Sequence, residues 1–279
     1  MQTNDVSSDT EQSIFDDGLF YRLYDEAEAV RWRMSDYDWS SIRTEEVSPA
    51  WRNVVREALI GELTTFSATE RFFSDFGDDA DFTQWLTIWL YEETKHPTVF
   101  LRWLSAFGEK FDDRFMLQGR QTIPFMPSKM GTLATNVISE TVAAKLYVTV
   151  ASQANIEPLL KRIIMNVAGD EARHAAHFYR YAKRRLERSE DPAQEKVDAL
   201  KVLLFWTTPG LNERVGHPVN MLVNHYKTSD LAQEAVPLDA LNTAVEDSYK
   251  RVRRVFGTLL DLEIRSAEDV SRHLSALVD

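Results

Sequence analysis

Two copies of one short pattern constrain this chain more than any other feature. They are Glu93-Thr94-Lys95-His96 and Glu171-Ala172-Arg173-His174, each with a further glutamate, Glu62 or Glu140, 31 residues upstream. On a helix, a Glu and a His three residues apart project from one face, one turn above each other. Two such pairs plus two single glutamates are the side chains a helix bundle uses to hold two metal ions. Four carboxylates and two imidazoles suit iron or manganese better than zinc, whose sites are smaller and tetrahedral.

The turns between these positions agree with that reading. Glu62 precedes the turn at Gly77-Asp78-Asp79 by about as many residues as Glu93 follows it, and Glu140 and Glu171 flank the break at Asn155 and Pro158 in the same way. In antiparallel helices rising equally per residue, each pair returns to one level. Each hairpin then sets one Glu against one Glu-x-x-His. The stretch 108–130, with Gly108, Gly119, Pro124 and Pro127, reads as a long crossover between the hairpins. The fold expected is all-α, a ferritin-like four-helix bundle with additional flanking helices.

Helical spacing predicts helices over about 15–32, 49–76, 81–107, 131–154 and 157–188, then 194–206, 217–235 and 238–262. No stretch sustains strand alternation. Residues 1–15 are polar and read as a mobile arm, and residues 16–279 as a single domain, with the metal-binding bundle at about 45–188 and C-terminal helices at 194–279. A net charge of −12 argues against nucleic acid or an anionic membrane as a general partner. There is no apolar run of spanning length, so no membrane span is expected. The absence of cysteine excludes thiolate ligands and thiol nucleophiles and suits a cytoplasmic location.

A single Glu-x-x-His is weak evidence, and Glu62 alone could sit on the surface. Glu140 says more: between Gly131 and Ala154 the charged residues are Glu140 and Lys145 alone. A carboxylate on so apolar a helix is costly without a cation. His177 shares the face of His174 and reads as a polar core contact, while His217, His225 and His273 read as structural or exposed. Trp85, Trp89 and Trp103 read as packing. The basic run Lys183, Arg184, Arg185 and Arg188 suits a helix C-terminus, with a docking patch as the alternative.

Trp85-x3-Trp89-x2-Glu92-Glu93-x2-His96 and Asp170-Glu171-x2-His174 resemble the soluble acyl-acyl-carrier-protein desaturases and their actinobacterial relatives, over roughly residues 50–190. The resemblance implies a homodimeric di-iron bundle that uses O2 and electrons from a ferredoxin-type donor to oxidise an acyl chain on a carrier protein. It implies that Glu93 and Glu171 bridge two iron ions, that Glu62 and His96 complete one, and that Glu140 and His174 complete the other. It also implies that Asp170 orients a ligand His and joins an electron path to a tryptophan, Trp32 or Trp39.

This sequence departs from that family in three places. Ala143 stands where plant-type desaturases carry a threonine, Pro97 follows His96 within a helix and should kink it, and the C-terminal third has no clear counterpart. Other di-iron families fit less well. Val167 replaces the extra His of N-oxygenases resembling p-aminobenzoate oxygenase, Phe100 replaces the radical tyrosine of ribonucleotide reductase small subunits, and ferritins lack the second Glu-x-x-His. The expectation is an O2-dependent oxidase or oxygenase acting on a C–H bond, desaturase-like, with hydroxylation or N-oxidation as alternatives. Its substrate pocket is expected to be lined by Leu63, Phe66, Trp89, Phe100 and Tyr147. A ferroxidase, with iron itself as substrate, would instead need an acidic entry route and no elongated apolar cavity.

Overall fold

Proline and short polar side chains fix where the helices start. In a computed structural model describing residues 18–118, 128–211 and 216–278, the helices are α1 (Phe20–Val30), α2 (Pro49–Glu62), α3 (Thr65–Asp75), α4 (Ala80–Ser105), α5 (Asp113–Gln118), α6 (Lys129–Ala151), α7 (Pro158–Arg188), α8 (Pro192–Thr207), α9 (Pro218–Thr228), α10 (Asp230–Ala235), α11 (Leu238–Leu260) and α12 (Ala267–Val278). Helices α2, α7, α8 and α9 each open on a proline, whose fixed φ and missing N–H suit the first turn. Asp79 caps α4 by accepting from Phe82 N–H at 3.0 Å, and Ser128 caps α6 by accepting from Gly131 N–H at 3.0 Å. No strand occurs among the described residues. The fold is all-α, as expected.

The bundle consists of two hairpins. In the first, α2 and α3 pack on α4; in the second, α6 packs along α7. Glu157 ties them together, capping α7 through the N–H groups of Leu159 and Leu160 while accepting from Trp103 Nε1 of α4 at 3.1 Å. Helix α6 is buried along most of its length because α7, α8 and α11 surround it, which accounts for its lack of charge. Helices α9 and α10 cover α2, α1 lies on α4, and α12 lies on α8. One hydrophobic core runs from Leu23 of α1 to Val270 of α12.

The boundaries differ from expectation in several places. The predicted helix over 49–76 is two helices, interrupted at Leu63 and Thr64. There Thr64 N–H and its hydroxyl both turn back to the Gly61 carbonyl, at 3.2 and 2.7 Å. A threonine that satisfies the backbone locally competes with the regular ladder, and the tightened turn falls directly after Glu62. The predicted 217–235 helix is likewise two, α9 and α10, because Ser229 caps a new start through Ala232 N–H. Helix α12 falls within the expected C-terminal helices but past the last one delimited, and α5 lies inside the stretch expected to be a crossover. Helix α4 runs through Pro97 without interruption. The arm at 1–15 and the crossover residues 119–127 lie outside the described residues.

Candidate metal centre

The six residues singled out in the sequence converge at one buried level of the bundle. Ligand atoms of Glu62, Glu93, His96 and Glu171 lie within 4.8 Å of one another, and so do those of Glu93, Glu140, Glu171 and His174. Glu93 and Glu171 are common to both groups. His96 and His174 are fully buried, their ring centroids 6.1 Å apart. Glu93, Glu140 and Glu171 are 4%, 7% and 3% exposed.

The imidazoles are held from behind by a crossed pair of acids. His96 on α4 faces Asp170 on α7, with Nε2 at 3.2 Å from Oδ2. His174 on α7 faces Glu92 on α4, with Nε2 at 3.0 Å from Oε2. Arg173 joins the two acids, donating to Glu92 Oε1 and Asp170 Oδ1 at 2.7 Å each. Burial pushes Glu92 up, but His174 and Arg173 outweigh it and hold the carboxyl down at about 2. Burial raises Asp170 too, and the His96 hydrogen bond with the His96, His174 and Arg173 charges takes it well below the usual carboxylate range. Acids so firmly ionised only accept, so each imidazole donates from Nε2. Both Nδ1 atoms then face the carboxylate cluster.

Those Nδ1 atoms are buried, and among the described residues neither has a hydrogen-bond partner of good geometry; Glu93 Oε1 is in the same position. His96 Nδ1 lies 3.4 Å from Glu62 and 3.3 Å from Glu171, and His174 Nδ1 lies 2.9 Å from Glu93. Without a cation the acids compete for protons. Burial, then the Glu171 charge, raises Glu62 to about 7. Burial, with Glu171, Glu93 and Glu62 adjacent, lifts Glu140 well above the usual range. Burial lowers His174, but Glu92 and Glu93 bring it up to about 9. Two fixed imidazoles with Nδ1 aimed inward, together with four crowded carboxylates, fit a pair of transition-metal ions, whose charge would take the place of the protons these groups otherwise hold.

Three further contacts bear on the cluster. Thr65, at the start of α3, donates to Glu93 Oε2 at 3.0 Å, and Tyr147 of α6 donates to Glu62. Trp32 donates from Nε1 to Asp170 Oδ2 at 2.8 Å, whereas Trp39 donates to the Met34 carbonyl, so Trp32 is the ring joined to the cluster. The segment carrying it is pinned to α7 again by Asn166, which donates to Tyr37 Oη at 2.7 Å. Lys95 sits over the Trp32 ring, its Nζ 4.0 Å from the centroid.

A cavity of about 290 Å³ opens beside the cluster. Its inner wall holds Glu62, Glu93, Glu140 and Glu171, with Trp89, Ala143 and Tyr147. Its outer wall comes from the C-terminal helices, through Val202, Phe205, Trp206, Val219 and Leu222. Of the lining expected from sequence, Trp89 and Tyr147 contribute. Leu63 and Phe100 are instead core residues, 0% and 1% exposed, and Phe66 packs on that core. Along α6 the lining extends from Thr135 to Tyr147, about 18 Å at the helical rise.

A family model described as Rubrerythrin matches residues 131–218. No curated protein and no solved structure matches the chain. The matched stretch contains all but the first two residues of α6, then α7 and α8, and with them Glu140, Asp170, Glu171 and His174. Match and cluster together support a ferritin-like di-iron protein. Neither speaks for the desaturase resemblance, which rests on the motifs.

Other expectations resolve locally. His177 is a core contact: its Nδ1 accepts from Trp85 Nε1 at 3.1 Å, and burial holds the ring down at about 4, neutral at ordinary pH. Trp85 and Trp103 are core residues. Arg184 pairs with Asp79 and Asp81 at 2.6 Å, and Arg185 pairs with Glu195, so these two members of the basic run are held within the molecule, while Lys183 and Arg188 are exposed. No described helix is long and apolar enough to cross a membrane. Sequence reasoning gave no role to Glu92, Arg173 or Thr65, and read His217 as structural or exposed. The first had a signal: Glu92 precedes Glu93 just as Asp170 precedes Glu171.

Proposed function

We propose that this chain is a non-haem di-iron oxidoreductase that uses O2 to oxidise an apolar organic molecule, acyl-like in shape. The observation that carries the reading is the elongated, mainly apolar cavity whose inner wall is the carboxylate cluster. An enzyme oxidising iron itself has no use for such a cavity. The ligands proposed are Glu62 and His96 for one ion, Glu140 and His174 for the other, and Glu93 and Glu171 between them. Bound there, the two irons would supply the redox chemistry of O2 reduction.

The chain's own groups do the rest. Glu92 and Asp170 hold a proton on each Nε2 and so leave both Nδ1 atoms as the ones that would hold the metals. Arg173 fixes the spacing of these acids and hence of the two imidazoles. Tyr147 and Thr65 orient Glu62 and Glu93. Helices α8 and α9 exclude water from the oxidising face. Trp32, hydrogen-bonded to Asp170 and through it to His96, is the proposed entry for electrons from an external donor such as a ferredoxin. Delivery of the substrate on an acyl carrier protein belongs to the same proposal.

The test is anaerobic reduction of the iron-loaded protein, addition of O2, and mass spectrometry against a panel of acyl substrates. Loss of two hydrogens means desaturation; gain of one oxygen means hydroxylation or N-oxidation. Oxidised iron with no organic product from any substrate replaces this reading with the ferroxidase one, which the Rubrerythrin match favours equally.

A further inference from the structure

Most polar groups on the cavity wall have their hydrogens committed within the protein. Thr64 donates to the Gly61 carbonyl, Thr65 to Glu93, Ser139 to the Asn136 carbonyl, Asn136 to the Thr132 carbonyl and Tyr147 to Glu62. Two ring donors on the wall are different: Trp89 Nε1, on the inner wall, is buried with no partner among the described residues, and His217 stands on the outer wall. Its Nδ1 accepts from Val219 N–H at 3.4 Å, capping α9, and only an unprotonated nitrogen can do so. The ring's hydrogen is therefore on Nε2. The imidazole is steadied edge-on by Trp206, with ring centroids 5.3 Å apart and planes at 60°. Burial holds it down at about 4, so it stays neutral at ordinary pH. Among the described residues its Nε2 hydrogen has no acceptor, and the ring lines the cavity.

Resting on the reading that this cavity takes an organic substrate, we infer that His217 is a specificity-determining residue whose Nε2–H is given to the substrate. The substrate is therefore a neutral, mainly apolar molecule with a carbonyl-type oxygen at the end lodged against α9. A neutral donor in an apolar wall rewards a ketone, ester, thioester or amide oxygen. It offers a carboxylate no countercharge, and an unpaired charge placed there meets its full desolvation cost. A bare hydrocarbon fits the walls but leaves the donor unpaired.

The test is a set of equilibrium titrations on the metal-free full chain, followed by tryptophan fluorescence because Trp89 and Trp206 line the cavity. The probes are 2-decanone, decane and decanoate. His217→Phe keeps a ring against Trp206 without the donor. His217→Asn keeps both the α9 cap and a donor. The expected result is 2-decanone binding weakened roughly fivefold to tenfold in His217→Phe, restored in His217→Asn, with decane unchanged in both. Equal binding of 2-decanone by the parent and His217→Phe overturns the inference, as does failure of 2-decanone to bind the parent. Decanoate bound as tightly as 2-decanone, and equally dependent on His217, also overturns it. None of these readouts involves iron or O2, so the oxidase reading stands or falls separately on its product assay.

Discussion

Replacing Glu62 by Gln should stabilise the metal-free protein and weaken the iron-loaded one. Glu62 is about 10% exposed, flanked by Glu93 and Glu171, and its carboxyl is raised from the ordinary 4.5 to about 7. Between those values the folded chain retains a proton that the unfolded chain releases, so stability falls as pH rises through the interval. The fall amounts to about 3 kcal/mol and is complete above pH 7, because each pK unit is worth about 1.4 kcal/mol. Gln has nothing to ionise, and its carbonyl can still accept from Tyr147. The variant should match the parent near pH 5 and exceed it at pH 8 by up to about 3 kcal/mol. For a chain of this size that is roughly 6–12 °C in melting temperature.

Iron should reverse the order. A ligand at a hundred times its dissociation constant adds about 2.7 kcal/mol to the state that binds it, and a neutral amide is a poor substitute for a carboxylate on ferrous iron. Anaerobic thermal melts at pH 5 and pH 8, with chelator and with ferrous salt, therefore form a four-cell comparison in which the sign of the substitution changes with metal. A Glu62→Gln protein that melts below the parent at pH 8 with chelator present would refute the reasoning. The carboxylates would then be a stabilising polar network in their own right.

Arg173→Leu removes the link between Glu92 and Asp170 and should lower iron affinity 10–100-fold by competition titration, with helix content unchanged in far-ultraviolet circular dichroism. Trp32→Phe keeps the ring and loses the hydrogen bond to Asp170; iron content should stay at parent level while stopped-flow reduction by a ferredoxin-type donor slows. An unchanged reduction rate would remove Trp32 from the electron route. Ala143→Leu fills the cavity beside Glu140 at a packing cost of about 1–3 kcal/mol. It should abolish organic oxidation while leaving iron binding and oxidation intact, and organic turnover at the parent rate would show that the cavity is not where the substrate binds.

What the sequence made legible follows from what periodicity encodes. A Glu and a His three apart on a helix share a face whatever surrounds them, and equal distances to a turn put two helices' side chains at one level. These are local and arithmetical facts, so the convergence of Glu62, Glu93, His96, Glu140, Glu171 and His174 could be read before any packing was known. The boundary at Leu63 could not, because it depends on Thr64 choosing the Gly61 carbonyl over solvent. Nor could the choice of Trp32 over Trp39, since the first helix ends at Val30, short of the predicted 32, and beyond it short 3₁₀ turns leave no helical register to count along.

The cavity was misplaced for a related reason: spacing assigns a residue to a face, but not to the neighbour that covers it. Leu63 and Phe100 sit close in sequence to the ligands, and the space beside the cluster is nevertheless walled by α8 and α9, more than a hundred residues downstream of Glu62. The C-terminal helices are therefore part of the site rather than an appendage. The chemistry of the cluster is repeated symmetrically in the two hairpins, whereas the cavity is not, because α8 and α9 cover only one side of the bundle. On the proposed oxidase reading, substrate selection is encoded in the outer wall, where Phe205, Trp206 and His217 stand, and swapping those residues should change what is oxidised without changing how iron is held.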